Sequence, residues 1–223
     1  MNACLMLHGI GPLPANAGAD EAPYWISREH FETLINLLQT IPARLTFDDG
    51  NKTDATIAMP HLVKAGLKAS FFIPSARIET NGYVSEDDIR KMHAAGMEIG
   101  SHGCAHVPWT TLNDAEIAHD VMQSVERLSA IINAPVRSVA IPYGCCDRRV
   151  LAVLRKLGIV RVYSSFRGPD TENAWLVRRD CIKVDMQRED ILKILTHKPI
   201  VAETALNLLR VWRRAGNAAL WAA

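Results

Sequence analysis

Two neighbouring carboxylates are the first residues of this chain whose types and spacing could do chemistry. Asp48 and Asp49 directly follow the short apolar run 45–47. Like charges side by side repel each other, and the end of a strand near the core is a poor place for them, so a positive partner is expected. Without such a partner, the two aspartates would be interpreted as a turn or a helix cap.

A histidine pair could provide that partner by binding a metal ion. His102 and His106 are four residues apart, a spacing that is common in ordinary helices, but they follow Gly100 in a segment of small residues that favours a rigid loop. Together with Asp49 they offer two imidazole nitrogens and one carboxylate. This set suits zinc or a similar divalent ion and leaves a coordination position for water. Asp48 would then stay unligated beside the metal.

The elements that must position these residues are short strands alternating with helices. Apolar runs alternate with segments of helical periodicity, and the chain has no internal repeat and no linker rich in proline, glycine or serine. Capping patterns predict three helix starts, at Ser27, at Ser85 with Asp88, and at Asn113 with Glu116. In a chain of 223 residues this alternation favours one α/β domain with a parallel sheet, either closed into a barrel or doubly wound.

In both architectures the chemistry gathers at the C-terminal ends of the strands. The candidate residues follow apolar runs, as this arrangement requires. They are Asp48 and Asp49, His102 and His106, Tyr143 with Gly144 after "SVAIP", and His197 after "ILKILT". We therefore expect loops from separate strands to meet at one mouth.

Charge and cysteine content limit the classes of binding partner and the cellular compartment that we expect for this protein. The 25 basic and 24 acidic side chains nearly cancel, which gives no reason to expect nucleic acid or an anionic surface. Five cysteines form an odd set without the spacing of a zinc knuckle or a disulfide framework. The apolar segment 3–7 is too short for an export signal or a membrane span. A cytoplasmic protein with reduced thiols is predicted, and any membrane contact by the helical segment expected from about residue 200 would be peripheral.

Three motifs in this order carry a family resemblance: "TFDDG", "HGCAH" and "AIPYG". They resemble the polysaccharide deacetylases of carbohydrate esterase family 4, which contain the NodB homology domain. The resemblance extends from "CLMLHGIG" to "ILTHKP", which is most of the chain. It implies a single catalytic domain over residues 1–223, a distorted (β/α) barrel that usually has seven strands, and removal of acetyl groups from N-acetylated sugars with a divalent metal.

The resemblance also assigns roles to individual residues. Asp48 matches the general base, Tyr143 matches an oxyanion donor that acts through its backbone N–H, and His197 matches the general acid that protonates the leaving amine. Three residues match the metal ligands: Asp49, His102 and His106. His8, at the end of the first predicted strand, could line the pocket but receives no role.

The sequence departs from the family pattern at one position of the third motif. The family has an arginine three residues before the tyrosine, where it contacts the base, and this chain has Ala140. Another cation is therefore expected beside Asp48. In a strand through "AWLVRRD", Trp175, Val177 and Arg179 would share one face, and Arg179 is the predicted replacement.

The function expected from the sequence is a metal-dependent deacetylase that acts on an amino sugar of a surface polysaccharide or its precursor. A same-fold amidohydrolase of a small cyclic or ureido amide would use the same catalytic atoms. A non-catalytic carbohydrate-binding relative is the third alternative, which the missing arginine at Ala140 favours. A candidate acid and a candidate base around one metal argue against a mere binder.

Overall fold

Short apolar runs form the strands of this protein, as their composition predicts. The structure is a computed structural model that describes residues 3–14, 17–168 and 173–197. Within these residues the strands are β1 (Cys4–Leu7), β2 (Gly9–Ile10), β3 (Trp25–Ile26), β4 (Arg44–Phe47), β5 (Ser70–Ile73), β6 (Glu98–Ser101), β7 (Ser138–Ala140), β8 (Arg161–Tyr163), β9 (Leu176–Val177) and β10 (Asp180–Cys181). Every residue of β1 and of β5 is buried, because side chains pack against both faces of the sheet.

Helices connect the strands. In the part of the chain that the structure describes, the α-helices are α1 (Arg28–Leu38), α2 (Met59–Ala65), α3 (Glu86–Ala94), α4 (Asp114–Ile132), α5 (Arg148–Lys156) and α6 (Arg188–Thr196). The three predicted helix starts are confirmed. The side chains of Ser27, Ser85 and Asn113 each accept a hydrogen bond from a first-turn backbone N–H, and the latter two complete capping boxes.

Eight of the strands form one parallel sheet, in the order β10-β1-β4-β5-β6-β7-β8-β9. The predicted distorted (β/α) barrel is confirmed, but its sheet has eight strands instead of seven. The difference arises in one extended stretch of chain, where β9 pairs with β8 and β10 pairs with β1. Only Arg178 and Arg179 separate these two strands. A single segment therefore reaches both edges of the sheet and counts as two strands.

Successive side chains along each strand point to opposite faces of the sheet, so the apolar core has an outer layer and an inner layer. Side chains such as Leu5 and Phe47 point outward and pack against α1 through Phe31 and Leu34. A smaller cluster comes from five different strands and fills the interior of the barrel, and it consists of Cys4, Phe72, Ala140, Tyr163 and Val177. Since side chains alternate between the two faces of a strand, Thr46 and Asp48 are placed opposite to Phe47, toward the interior. Both are almost fully buried.

The apolar run "ILKILT" is helical. The expectation that His197 follows a strand is therefore wrong. The run belongs to α6, which begins at a capping box formed by Gln187 and Asp190. Ile191, Leu192 and Leu195 recur at helical spacing and pack against the outer core. The predicted helical segment from about residue 200 lies outside the described residues. No helix in the described ranges is both long and apolar enough to cross a membrane.

Candidate metal centre

The C-terminal ends of four parallel strands carry the candidate site. His8 follows β1, Asp48 and Asp49 follow β4, His102 follows β6, and Tyr143 comes three residues after the end of β7. Because the strands are parallel, their C-terminal ends lie on the same side of the barrel. A cavity of about 460 Å³ lies there and is lined by all five of these residues.

The three predicted metal ligands lie together at the base of this cavity. Asp49 Oδ1 is 3.0 Å from His106 Nε2 and 3.8 Å from His102 Nε2. Each of the three residues offers one ligand atom, and these atoms all lie within 4.8 Å of one another. Two imidazole nitrogens and one carboxylate oxygen at this separation fit a single divalent ion of the zinc class.

His102 is held in the form that a metal requires. Its Nδ1 lies 2.9 Å from the backbone oxygen of Ala140, so Nδ1 donates a hydrogen bond to that carbonyl. The proton of the neutral ring is then on Nδ1, which leaves the lone pair on Nε2, 3.8 Å from both Asp49 Oδ1 and Asp48 Oδ2. Burial lowers the pKa of His102 to about 4 despite the nearby carboxylate of Asp48, so the ring is neutral at pH 7.

Left-handed backbone is concentrated at this site. Asp49 (φ 78°), His106 (φ 52°) and Tyr143 (φ 57°) are three of the five non-glycine residues with positive φ in the described part of the chain. For a residue other than glycine this conformation costs of order 1 kcal/mol or more, and it persists only where the surroundings enforce it. The loops that carry the ligands are therefore held in conformations that local preference would not select.

The charge of Asp49 is stabilised by its neighbours. Burial by itself would raise the pKa of this carboxyl group, but the close contact with His106 and the nearby rings of His8 and His102 outweigh it. The net result is a pKa well below the ordinary value for aspartate. Asp49 is consequently anionic over the whole physiological range of pH, as a carboxylate ligand would have to be.

Asp48 is paired with a buried arginine. Arg179 Nη1 lies 2.6 Å from Asp48 Oδ1 and Nη2 lies 2.8 Å from Oδ2, which is a two-pronged ion pair. The guanidinium also donates to the hydroxyl of Thr46 at 3.1 Å and to the backbone oxygen of Ser164 at 3.0 Å. Burial would raise the pKa of Asp48, but the charge of Arg179 lowers it below its ordinary value.

The cation expected in place of the missing family arginine is thus present beside Asp48. Val177 and Arg179 both lie on the interior side. Trp175 instead packs in a separate cluster with Val139 and Val162, so the predicted three-residue face is wrong at Trp175. The guanidinium carbon of Arg179 lies 5.8 Å from the ring of Tyr163. Ala140 belongs to the same interior cluster as Tyr163, so a small residue there leaves room for an arginine from another strand.

Tyr143 lies at the rim of the cavity. Its side chain is 62% exposed, and its ring centroid lies 4.6 Å from that of His106. It occupies the turn Pro142–Gly144 directly after β7, and its left-handed backbone sets the orientation of its peptide group. The structure therefore brings Tyr143 to the ligands, and the role of its backbone N–H as an oxyanion donor stays a prediction.

The structure does not bring His197 to this cavity. His197 is exposed at the C-terminal end of α6, and it is not one of the residues that line the cavity. His8 lines the cavity instead, with its ring 5.0 Å from that of Tyr24 and its Nδ1 4.0 Å from Cys181 Sγ. The sequence signal for His8 was its place directly after the first strand, in "MLHGIG".

Fold and site together define a parallel (β/α) barrel with a candidate metal centre at the C-terminal ends of its strands. Residues 40–162 match the family described as "Polysaccharide deacetylase". This match covers 123 of the 223 residues, and the chain belongs to that family.

Curated relatives agree with this assignment. A chitin deacetylase of Colletotrichum lindemuthianum is 30% identical over 132 residues, which are 58% of this chain and 52% of the relative. A chitooligosaccharide deacetylase of Bradyrhizobium sp. (strain ANU 289) is 29% identical over 123 residues, which are 54% of each chain. Chitin deacetylase 1 of Cryptococcus neoformans var. grubii is 23% identical over 68% of this chain and 33% of its own length. The chain thus spans between a third and about half of these relatives.

Solved structures support the same fold. The deacetylase PplD of Streptococcus pyogenes, in complex with acetate, superimposes with a TM-score of 0.77 at 18% identity, over 89% of this chain and 98% of that one. IcaB from Ammonifex degensii gives a TM-score of 0.73 at 19% identity, over 88% and 98% of the two chains. At these identities the likeness shows the fold alone.

Proposed function

We propose that this protein is a divalent-metal-dependent deacetylase that removes N-linked acetyl groups from an amino sugar of a polysaccharide or its precursor. The observation that carries the proposal is the cluster of Asp49, His102 and His106 beside the buried ion pair of Asp48 with Arg179. Membership of the polysaccharide deacetylase family supports the reaction class, and the names of the curated relatives support an N-acetylated glycan as substrate. The ligand set favours zinc.

Each residue of the cluster has a chemical task in this proposal. A bound divalent ion supplies Lewis-acid polarisation of the acetyl carbonyl and makes a water molecule more acidic. Asp48 accepts the proton of the attacking water, which requires the ionised form that Arg179 maintains. The backbone N–H of Tyr143 donates to the developing oxyanion, and one such donor contributes about 3 kcal/mol to transition-state stabilisation.

The general acid in this proposal is His8. Protonation of the leaving amine needs a proton donor at the cavity, and His8 is the one imidazole lining it, among the described residues, that is not a candidate ligand. Its ring contacts Cys181 Sγ through Nδ1 and lies tilted, at 47°, against the ring of Tyr24. The place of His197 at the end of α6 does not support the role that the sequence resemblance gives it.

Replacement of His8 by asparagine should lower the rate of acetate release by about a hundredfold or more, because the amine then leaves without protonation. Zinc content should stay unchanged, since His8 is not a candidate ligand. The matched variant is His197→Asn, which should keep nearly wild-type turnover. Steady-state kinetics with metal analysis of both variants would measure this. A crippled His197→Asn beside an active His8→Asn would return the acid role to His197.

The experiment that tests the proposed function combines metal analysis with acetate release. Purified protein is assayed on N-acetylglucosamine oligomers before chelation, after chelation and after addition of zinc, with Asp49→Ala as the ligand-deficient control. Acetate release should be lost on chelation, return with zinc, and be absent in Asp49→Ala. Acetate release that survives both treatments would refute the metal requirement.

The same assay separates the alternative functions. Small cyclic imides are included in the substrate panel, and sugar binding is measured by calorimetry. Ring opening of imides without acetate release would identify a same-fold amidohydrolase. Sugar binding without turnover of any substrate would identify a non-catalytic relative.

A further inference from the structure

Arg77 contacts two of the three candidate metal ligands. It lies in the turn Ser75–Arg77, directly after β5, and it lines the cavity. Its Nη2 is 2.9 Å from His106 Nδ1, and its Nη1 is 3.3 Å from Asp49 Oδ1. Neither the sequence motifs nor the proposed reaction gives this residue a role.

The contact with His106 determines which nitrogen of that ring carries the proton. A guanidinium has only N–H donors, so Nδ1 of His106 must accept the hydrogen bond. In a neutral ring the proton is then on Nε2, which lies 3.0 Å from Asp49 Oδ1, at ion-pair distance. Arg77 thus hydrogen-bonds His106 and lies at ion-pair distance from Asp49, whose Oδ1 is buried without a hydrogen-bond partner among the described residues.

This tautomer is the opposite of the one that a metal requires. A neutral imidazole that binds a cation through Nε2 must carry its proton on Nδ1 and donate it to an acceptor. His102 meets this condition, because its Nδ1 faces the backbone oxygen of Ala140. His106 does not, because its Nδ1 faces the N–H groups of Arg77. One histidine is therefore ready for the metal, and the other is held in its metal-free form.

Charge acts in the same direction as the tautomer. The guanidinium is within contact distance of Asp49 and His106, so it repels a dication bound between them. Arg77 also has a second favourable contact, since its guanidinium carbon lies 4.9 Å from the ring centroid of Tyr83. The side chain can keep this contact when it leaves His106.

We propose that Arg77 is a positioning residue that holds Asp49 and His106 in the metal-free protein, leaves His106 when a divalent cation binds, and thereby weakens metal affinity. This inference rests on the proposed metal centre. The proposed role differs from a purely structural one in the direction in which loss of Arg77 changes metal affinity, because loss of a structural support would weaken metal binding. Loss of Arg77 is expected to strengthen it.

The test is the affinity for zinc of Arg77→Gln, measured by competition with a chromophoric chelator. Glutamine removes the charge, and its carbonyl oxygen can accept a hydrogen bond from Nδ1–H of His106. Zinc should bind about tenfold tighter or more, in line with the size of effects from residues that contact metal ligands. Arg90→Gln removes a cation that pairs with Glu86 on α3, and it is the charge control that should bind zinc like the wild type. Circular dichroism and thermal unfolding of the variants check that they fold.

A second measurement keeps the inference testable if Arg77→Gln folds poorly. Nitrogen-15 spectra of the wild-type histidines should show His106 protonated on Nε2 without metal and on Nδ1 with zinc. Equal or weaker zinc binding by Arg77→Gln, or a proton on Nδ1 in the metal-free wild type, would overturn the inference and leave the metal centre standing. Absence of zinc binding in both proteins would overturn the metal centre as well.

Discussion

Asp48→Asn is expected to lower the rate of acetate release by about a thousandfold or more while the protein keeps its zinc. Asparagine has nearly the size of aspartate, but it cannot accept the proton of the attacking water. The candidate ligand atoms come from other residues, so metal content should not change. Turnover and bound zinc are measured on the same preparation. Assays are run well below the unfolding midpoint, because Arg179 loses the charge of its buried partner in this variant.

Asp49→Asn is the matched control, since it makes the same chemical change one residue further along the chain. It removes the anionic ligand, and zinc affinity should fall together with turnover. The amount of zinc bound to each variant thus distinguishes the role of Asp48 from that of Asp49. Asp48 Oδ2 lies 3.8 Å from His102 Nε2, so geometry alone allows it to reach a bound ion. Loss of zinc from Asp48→Asn would make Asp48 a ligand and would refute the proposed division of labour.

The cluster of candidate ligands could be predicted because its signals are local. Asp48 and Asp49 end one strand and His102 ends another, and parallel strands bring their C-terminal ends together without further information. The prediction of Arg179 also had a local basis, because alternation in an extended segment distinguishes it from Arg178. Its contact with Asp48, 131 residues away in sequence, depends on the closure of the barrel.

The run before His197 shows where local signals fail. The run "ILKILT" is apolar almost throughout, and short apolar runs do not distinguish a buried strand from a helix. The capping box of Gln187 and Asp190 favours the helix and lies just before the run. Once α6 forms, His197 follows the end of a helix instead of a strand, and among the described residues His8 lines the cavity whereas His197 does not.

The strand count and the role of Arg77 depend on tertiary structure alone. The extended stretch from Leu176 to Cys181 is one segment in sequence, and it becomes two strands only because its two ends pair with different neighbours. Arg77 follows β5, as a polar residue in a loop commonly does, and no motif marks it. Its significance lies in two contacts, at 2.9 Å and 3.3 Å, with residues that are distant in sequence.

Arg179→Ala should be the most destabilising of these substitutions. Arg179 and Asp48 are both almost fully buried, and removal of one partner leaves an uncompensated charge. Breaking such a pair typically lowers the free energy of unfolding by about 3–5 kcal/mol. Turnover should also fall, because Asp48 loses the group that orients it and keeps it ionised. Chemical denaturation and steady-state kinetics measure the two effects, and near-normal values of both would exclude the proposed role.

The pH dependence of this destabilisation follows from the pKa of Asp48. In the wild type burial raises this pKa but Arg179 lowers it further, so the pair stabilises the fold above the ordinary pKa of aspartate, about 3.9. That stabilisation is lost as pH falls through the lower pKa of the folded state. In Arg179→Ala the main group that lowers the pKa of Asp48 is gone, so burial should raise this pKa. The difference in unfolding free energy between the two proteins should therefore be largest near pH 7, begin to shrink as pH falls through the raised pKa of Asp48 in the variant, and continue to shrink down to the lowered pKa of the wild type.

A second substitution in Arg179→Ala tests whether the position of the cation or only its presence matters. Ala140 lies in the interior cluster with Phe72 and Tyr163, the two rings that flank the guanidinium of Arg179. Ala140→Arg in this background should restore part of the stability and turnover, because an arginine from β7 can then reach Asp48. Ala140→Arg alone should be destabilising, since two cations would face one carboxylate. If Arg179→Ala and the double variant lose function equally, an arginine on β7 does not replace Arg179. Asp48 would then need its cation from the segment between β9 and β10.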